Sequence, residues 1–305
     1  MKEYTVDVMI PSCKPDERYR ALLTRLADQT WPIRHIIVIN TGKEYYKEAD
    51  YPSLPNLSLT HIRPEEFDHG GTRHRAVSMS DSDIIVFLTQ DAVPKDQFLV
   101  ENLVKAFQDE SVAAVYGRQL AKKTDSVLEQ ITRQFNYPKE SRNKTIADLD
   151  KLGIKTYFCS NVCAAYRRQV YLELGGFPVR TIFNEDMIFA ASILKAGYTV
   201  RYEASAQVYH SHNYTGKQQF HRNFDLAVSQ ADNPQVFEGI PSEGEGIRLV
   251  KKTAAALIRQ GKWYLIVKLV YISGCKYAGY FLGKHYKKLP DKMVRACSMN
   301  KNYWR

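Results

Sequence analysis

The amino-terminal part of the chain alternates short apolar runs with longer stretches in which apolar residues recur every three or four positions. Thr5–Ile10 (TVDVMI) is a β-branched run that stops at Pro11, and in residues 16–29 Tyr19, Leu22, Leu23 and Leu26 share one helical face. Ile36–Ile39 is apolar at every position, as a strand covered on both faces would be, and it ends in the turn signal Asn40-Thr41-Gly42. Residues 57–62 alternate apolar and polar, residues 72–79 after Gly70-Gly71 read as a helix, and Ile84–Leu88 is a second continuous apolar run. A helix over 98–107 and a strand over 112–116 follow. This order predicts an α/β fold, a mostly parallel, doubly wound sheet with right-handed crossovers. Such sheets bind ligands beyond the carboxyl ends of their strands, which directs attention to residues 11–13, 40–42 and 89–92.

Composition changes the picture through the placement of charge. The 305 residues are 44% hydrophobic and 25% charged, as in a globular protein, and 43 Lys+Arg against 33 Asp+Glu give a formal +10. Residues 248–305 hold 14 basic side chains and one acid, Asp291, while residues 1–247 hold 29 basic and 32 acidic ones. The body is therefore slightly acidic and the tail carries +13, which argues against a nucleic-acid partner. The five cysteines, Cys13, Cys159, Cys163, Cys275 and Cys297, have neither zinc-site nor C-x-x-C spacing and are expected to be reduced. The first residues lack a signal-peptide apolar core, and no run of 18 uninterrupted apolar residues suggests a spanning helix, so a cytoplasmic location is expected.

The chain has no G-x-G-x-x-G after its first strand, no P-loop, no G-x-S-x-G elbow and no H-E-x-x-H. Four other segments carry chemistry. In FLTQDAVP (87–94) a buried strand delivers Asp91 to its carboxyl end, where it either holds a hard divalent cation or caps the next helix. In FNEDMIF (183–189) Glu185 and Asp186 open a helix, either simply favoured by its dipole or placed as a base at a pocket rim. In FDHGGTRHR (67–75) the paired glycines suit close backbone approach to an anion at a helix start, with Arg73 rather than Arg75 meeting it; the alternative is a solvated first turn. In YHSHNY (209–214) His210 and His212 lie on one side of an extended segment, either as metal ligands or as satisfied polar residues.

The succession Ile10-Pro11-Ser12, Ile39-Asn40-Thr41, the acid after Phe87-Leu88 and the Glu-Asp pair resembles glycosyltransferase family 2 with its GT-A fold. The strings FDHGGTR, FLTQDAVP, SNVCAAYRRQVYLELGGFP (160–178), FNEDMIFAASILKAGY (183–198) and HSHNYT (210–215) resemble bacterial rhamnosyltransferases of cell-wall rhamnan or O-antigen synthesis. The resemblance implies a nucleoside pocket lined by Pro11, Ser12 and Cys13, with Asn40 and Thr41 near the base and ribose; Gln90, beside Asp91, and Arg73, from its own segment, are further candidates for donor binding. Ser160 and Asn161 would lie where the two sugars meet. Thr89-Gln90-Asp91 stands in the place of a D-x-D metal motif with its first acid replaced by threonine, leaving Asp91, with His210 or His212, for Mg²⁺ or Mn²⁺. Asp186 matches the family's base, with Glu185 beside it. Inverting transfer of L-rhamnose from dTDP-L-rhamnose to a lipid-linked saccharide follows. The alternatives are another nucleotide sugar, or a non-catalytic nucleotide- or saccharide-binding subunit with a degenerate metal motif.

Residues 1–245 are expected to form the catalytic domain, with a nucleotide-sugar half over about 1–118 and an acceptor half over about 119–245. Residues 246–305 read as a basic amphipathic helical tail. Lys252, Arg259, Lys262, Lys276, Lys284, Lys287 and Lys288 fall within about one third of a helical wheel, Lys268 lies outside it, and Gly261, Gly274, Gly279 and Gly283 are expected to break the helix. Such a tail suits the interface of an anionic membrane at the inner face of the plasma membrane; packing on the catalytic domain or a homodimer contact are the alternatives.

Overall fold

A computed structural model describes residues 2–240 and 243–304. Among them nine strands form one sheet: β1 (Val6–Cys13), β2 (His35–Thr41), β3 (Leu57–Ile62), β4 (Ile84–Leu88), β5 (Val93–Pro94), β6 (Val112–Leu120), β7 (Arg142–Lys144), β8 (Cys163–Arg167) and β9 (Thr199–Tyr209). The order is β3-β2-β1-β4-β8-β6-β9-β5, with β7 also on β9. The helices are α1 (Glu17–Ala27), α2 (His69–Ser78), α3 (Leu99–Lys105), α4 (Val127–Asn136), α5 (Leu149–Leu152), α6 (Arg168–Glu173), α7 (Glu185–Lys195), α8 (Gly216–Asp232), α9 (Pro234–Phe237), α10 (Glu243–Arg259), α11 (Ile266–Lys284) and α12 (Asp291–Cys297).

The continuous apolar runs become strands buried on both faces. Val6, Val8, Ile36, Val38, Ile84 and Val86 face one core with Leu22, Leu23 and Leu26 of α1 and Leu99 and Leu103 of α3. Met9, Ile37, Ile39, Ile85 and Phe87 face the other, with Val77 of α2 and Phe189 and Ile193 of α7. The winding is parallel from β3 through β4, as expected. It then reverses, because β8 lies antiparallel between β4 and β6. The chain leaves β6 through α4, the short β7 and α5 and re-enters the sheet at β8 from the opposite direction.

Three local expectations change. The strand expected over 112–116 runs on to Leu120. The helix expected from 72 begins at His69, placing Gly70 and Gly71 within its first turn, where Asp68 caps it by accepting from the Gly71 N–H at 2.5 Å. A Cβ on Gly70 would lie 1.9 Å from the Pro178 carbonyl oxygen, so this glycine serves helix-to-turn packing and not an anion cradle.

The tail also departs from the single wheel. Only Gly261, at φ 68°, breaks it; Gly274, Gly279 and Gly283 lie inside α11. Gly279 and Gly283 let α11 approach α8 closely, since a Cβ there would sit 2.2 Å from the Phe220 carbonyl oxygen and 2.3 Å from that of Phe224. Trp263–Lys284, with mean hydropathy 1.3, is long and apolar enough to cross a membrane by length and composition, contrary to the expectation from uninterrupted runs. Lys268 and Lys276 interrupt the run without lowering the mean enough to exclude it. One side of α11 is already taken by α8. Its outer side carries Val267, Val270, Tyr271, Tyr277 and Phe281, all more than half exposed, at the spacing of one helical stripe.

Candidate active site

Six strands running the same way, β1, β2, β3, β4, β6 and β9, end at one edge of the sheet, and most of the chemistry-bearing residues lie near the ends of β1, β2, β4, β6 and β9. β5 follows the turn after β4 and pairs antiparallel with the end of β9, Val93 opposite Tyr209. That register sets Asp91 across from the segment after Tyr209, so two stretches remote in sequence meet. His210 Nε2 lies 3.5 Å from one Asp91 oxygen and His212 Nε2 lies 3.2 Å from the other. The two imidazole Nε2 atoms are 3.0 Å apart. The three ligand atoms lie within 4.8 Å of one another.

Each member is held in place. His210 Nδ1 lies 2.9 Å from Gln119 Oε1, an acceptor, which leaves Nε2 to offer its lone pair to the cluster. Tyr214 stacks on His212 at 4.9 Å with an interplanar angle of 18°. Burial pushes the His210 imidazole down to about 3 against the pull of Asp91, so it is a neutral donor at physiological pH. Burial alone would raise the Asp91 carboxyl, but the hydrogen bond from His212 and the nearness of both imidazole rings hold it well below the usual carboxylate range. Two imidazole nitrogens facing each other over one carboxylate, with little exposed surface, form a donor set that fits a divalent cation.

The helix that opens with Glu185 and Asp186 is aimed by Asn184, whose left-handed backbone (φ 63°) turns the chain into α7 and whose amide donates to the Leu226 carbonyl at 3.2 Å. The two acids divide their roles. Glu185 Oε1 faces Arg73 Nη1 at 3.3 Å, with those side chains only 9% and 6% exposed, and it accepts from the Asn161 amide at 3.2 Å. Burial works to raise the Glu185 carboxyl, but Arg73 and then His69 bring it below its ordinary value. Asp186 accepts only from the backbone N–H groups of Asn161 at 3.0 Å and Met187 at 2.8 Å. Burial, reinforced by the Glu185 charge, pushes its carboxyl up to about 7. Neighbouring acids driven apart in this way are suited to different tasks.

A hydrogen-bond path joins the two centres. Gln119, which accepts from His210, donates from Nε2 to Ser160 Oγ at 3.0 Å, and the next residue, Asn161, donates its N–H to Asp186. Arg133 also donates to Gln119.

The structure brings Asp91, His210 and His212 together and sets Ser160 and Asn161 between them and Asp186. Arg73 does not open toward the cluster; it is buried against Glu185 and the His69 carbonyl, at 2.8 Å from the latter. Gln90 spends both ends of its amide on the Cys13 backbone, at 2.8 and 2.9 Å, and so fixes the end of β1 beside half-buried Pro11. Asn40 is buried between Ser12, the Gly42 carbonyl and His61, while the buried Thr41 hydroxyl has no hydrogen-bond partner. Sequence reasoning missed Gln119, because the strand expectation stopped at Tyr116 and hid its position at a strand end. It also missed Arg18, 3.5 Å from Asp91, and Arg222, whose guanidinium lies over the rings of Phe183 and Tyr214; neither is marked by a local pattern.

Residues 7–175 match the family model described as glycosyl transferase family 2. The O-antigen chain rhamnosyltransferase RfbN of Salmonella typhimurium is 42% identical, over 98% of this chain and 96% of its own. The chain belongs to glycosyltransferase family 2. This transferase is also 45% identical to the O-antigen chain rhamnosyltransferase WbaN of Salmonella anatum, over 80% of this chain and 78% of that one. Among solved structures, the mannosyltransferase PcManGT from Pyrobaculum calidifontis, in complex with GDP-Man and Mn²⁺, superposes with a TM-score of 0.56 at 17% identity. It covers 99% of this chain and 85% of its own. TarS of S. aureus, in complex with UDP-GlcNAc, gives 0.52 at 12%, covering 93% and 91%. These likenesses show the GT-A fold. Both of these relatives are named O-antigen chain rhamnosyltransferases, and this chain is a glycosyltransferase.

Proposed function

We propose that this transferase moves L-rhamnose from dTDP-L-rhamnose to a lipid-linked saccharide, with inversion. The observation that carries the reading is the pairing of a built cation site, Asp91-His210-His212, with a carboxylate raised to about 7, Asp186, through Gln119, Ser160 and Asn161. Asp91, His210 and His212 would hold Mg²⁺ or Mn²⁺, which when bound supplies neutralising charge to the diphosphate of the leaving nucleotide. Asp186 accepts the proton of the acceptor hydroxyl as that oxygen forms its bond to the sugar's anomeric carbon. The bond from that carbon to the dTDP oxygen breaks in the same displacement, and its electron pair leaves with the nucleotide. A single base suffices for inversion. Glu185, paired with Arg73, stays ionised and keeps Asp186 raised. Pro11, Ser12, Cys13, Asn40 and Thr41 form the nucleoside side of the same edge.

The tail supports attachment at the inner face of the membrane. The exposed stripe of α11 is flanked by lysines, and the +13 of residues 248–305 favours anionic lipid. Flotation with anionic and neutral vesicles tests this attachment; a concentration-dependent doubling of mass without flotation would instead assign the stripe to a homodimer.

The deciding experiment for the chemistry is a donor panel of dTDP-rhamnose, UDP-glucose, UDP-galactose and GDP-mannose with a synthetic lipid-linked acceptor, read by mass, with and without excess EDTA. Rhamnose transfer abolished by EDTA is the expected result. Transfer from a different donor overturns the donor assignment, and full activity in EDTA removes the metal.

A further inference from the structure

A cavity of about 740 Å³ lies between α4, α8, α10 and α11. One end meets the active site, where His212, Asn184 and Met187 line it, the last next to the Asp186 base. Leu128, Leu226, Val250, Leu269 and Ile272 make much of its wall apolar. Ile247 and Tyr277, which are 57% and 63% exposed, also line it, and Tyr277 belongs to the exposed stripe of α11. The volume lies within the range of about 300–1,000 Å³ typical of sites for organic ligands.

Nothing in the catalytic step uses this space, and its charges are arranged for an amphiphile. Lys276, half-buried on α11, lines the cavity. Burial pushes its ammonium down against the pull of Glu129, and the neighbouring guanidinium groups of Arg222 and Arg133 add to that fall. Glu129 is itself taken by Arg133 at 2.7 Å, while Lys251 and Lys268 line the cavity together with Lys276. Lys155, also on the wall, is occupied by Glu245 at 2.5 Å.

We propose that the cavity binds the hydrocarbon chain of the lipid-linked acceptor next to its phosphate. The phosphates would lie against Lys276, the first carbons between α8, α10 and α11, and the rest along the outer stripe of α11. This inference rests on the proposal that the acceptor is lipid-linked. The outer stripe then has a purpose besides attachment: it feeds the chain into a groove that ends at the base.

Binding of farnesyl diphosphate, geranyl diphosphate and inorganic diphosphate to the full chain tests it, with saturating dTDP and Mn²⁺ present to occupy the donor site. Each buried methylene is worth up to about fourfold in affinity, so the ten-carbon step from inorganic to geranyl diphosphate and the five-carbon step to farnesyl diphosphate are each expected to gain at least about tenfold. Ser273→Trp, which fills the cavity from α11, should flatten that series while inorganic diphosphate binds as before. Val267→Asp/Val270→Asp, on the outer stripe, should lose vesicle binding and keep the series. Equal affinity for all three probes, or an unchanged series in folded Ser273→Trp, overturns the inference. The wild-type series stands as a test even if that variant misfolds. Because binding is read without transfer, the outcomes separate: a flat series beside active rhamnose transfer defeats only the cavity. A steep series beside a donor panel without rhamnose transfer defeats only the proposed chemistry.

Discussion

Asp186→Asn separates the chemical role of the base from its cost to the fold. In the folded chain this carboxyl is raised from an ordinary 3.8 to about 7, first by burial and then by Glu185. A raised acid holds its proton in the folded state over a pH range where the unfolded chain has lost it. The contribution of this group to wild-type stability therefore falls as pH rises from about 4 to about 7 and levels off above. The lift corresponds to on the order of 4 kcal/mol, at about 1.4 kcal/mol per tenfold in proton affinity. Asparagine removes that charge but sets its NH₂ against one of the two backbone N–H groups that Asp186 accepts, at a cost of about 1–3 kcal/mol. The variant should thus be less stable than wild type at pH 4, and equal or more stable by a kcal/mol or two at pH 8. Its turnover should fall by about 10²–10⁴-fold, and the wild-type rise of kcat/KM with pH through about 7 should disappear. Thermal melts at pH 4, 6 and 8 with a pH–rate profile are the assays. Wild-type turnover in the variant would refute the base, and parallel stability curves would refute the raised carboxyl.

Other changes address the supports of the site. Gln119→Ala removes the partner of His210 Nδ1 and should weaken Mn²⁺ binding about 10–100-fold by titration; it also strips buried bonds from Ser160 and Arg133, so the fold should lose about 1–3 kcal/mol in denaturant unfolding. Arg73→Ala leaves Glu185 buried and unpaired and should cost about 3–5 kcal/mol in denaturant unfolding; a mild loss would show that Arg73 is free for ligand after all. Gly279→Leu forces α11 off α8, where the Phe220 carbonyl leaves no room for a side chain, and should expose the tail to limited proteolysis while the donor site still binds dTDP.

The sequence by itself determined the parallel half of the sheet and the nature of the chemical groups. Runs such as IIVI and IIVFL are apolar at every position, which only a strand covered on both faces explains, and their ends named the edge that holds the site. The acids and histidines were legible too, because carboxylates and imidazoles following apolar runs are costly unless they have a task. Tertiary structure decided their relations. The register of β5 on β9 brought Asp91 to His210 and His212, and the reversed β8 set Ser160 and Asn161 beside α7. Arg73 looked like an anion ligand because its helix start could not be placed to the residue; the Asp68 cap and Glu185 turned it inward. The tail shows the same division. Its net charge was fixed by composition, whereas the face it presents depended on where two glycines allowed α11 to lie against α8. Local patterns report which residues avoid water, and only the packed chain reports which of them meet.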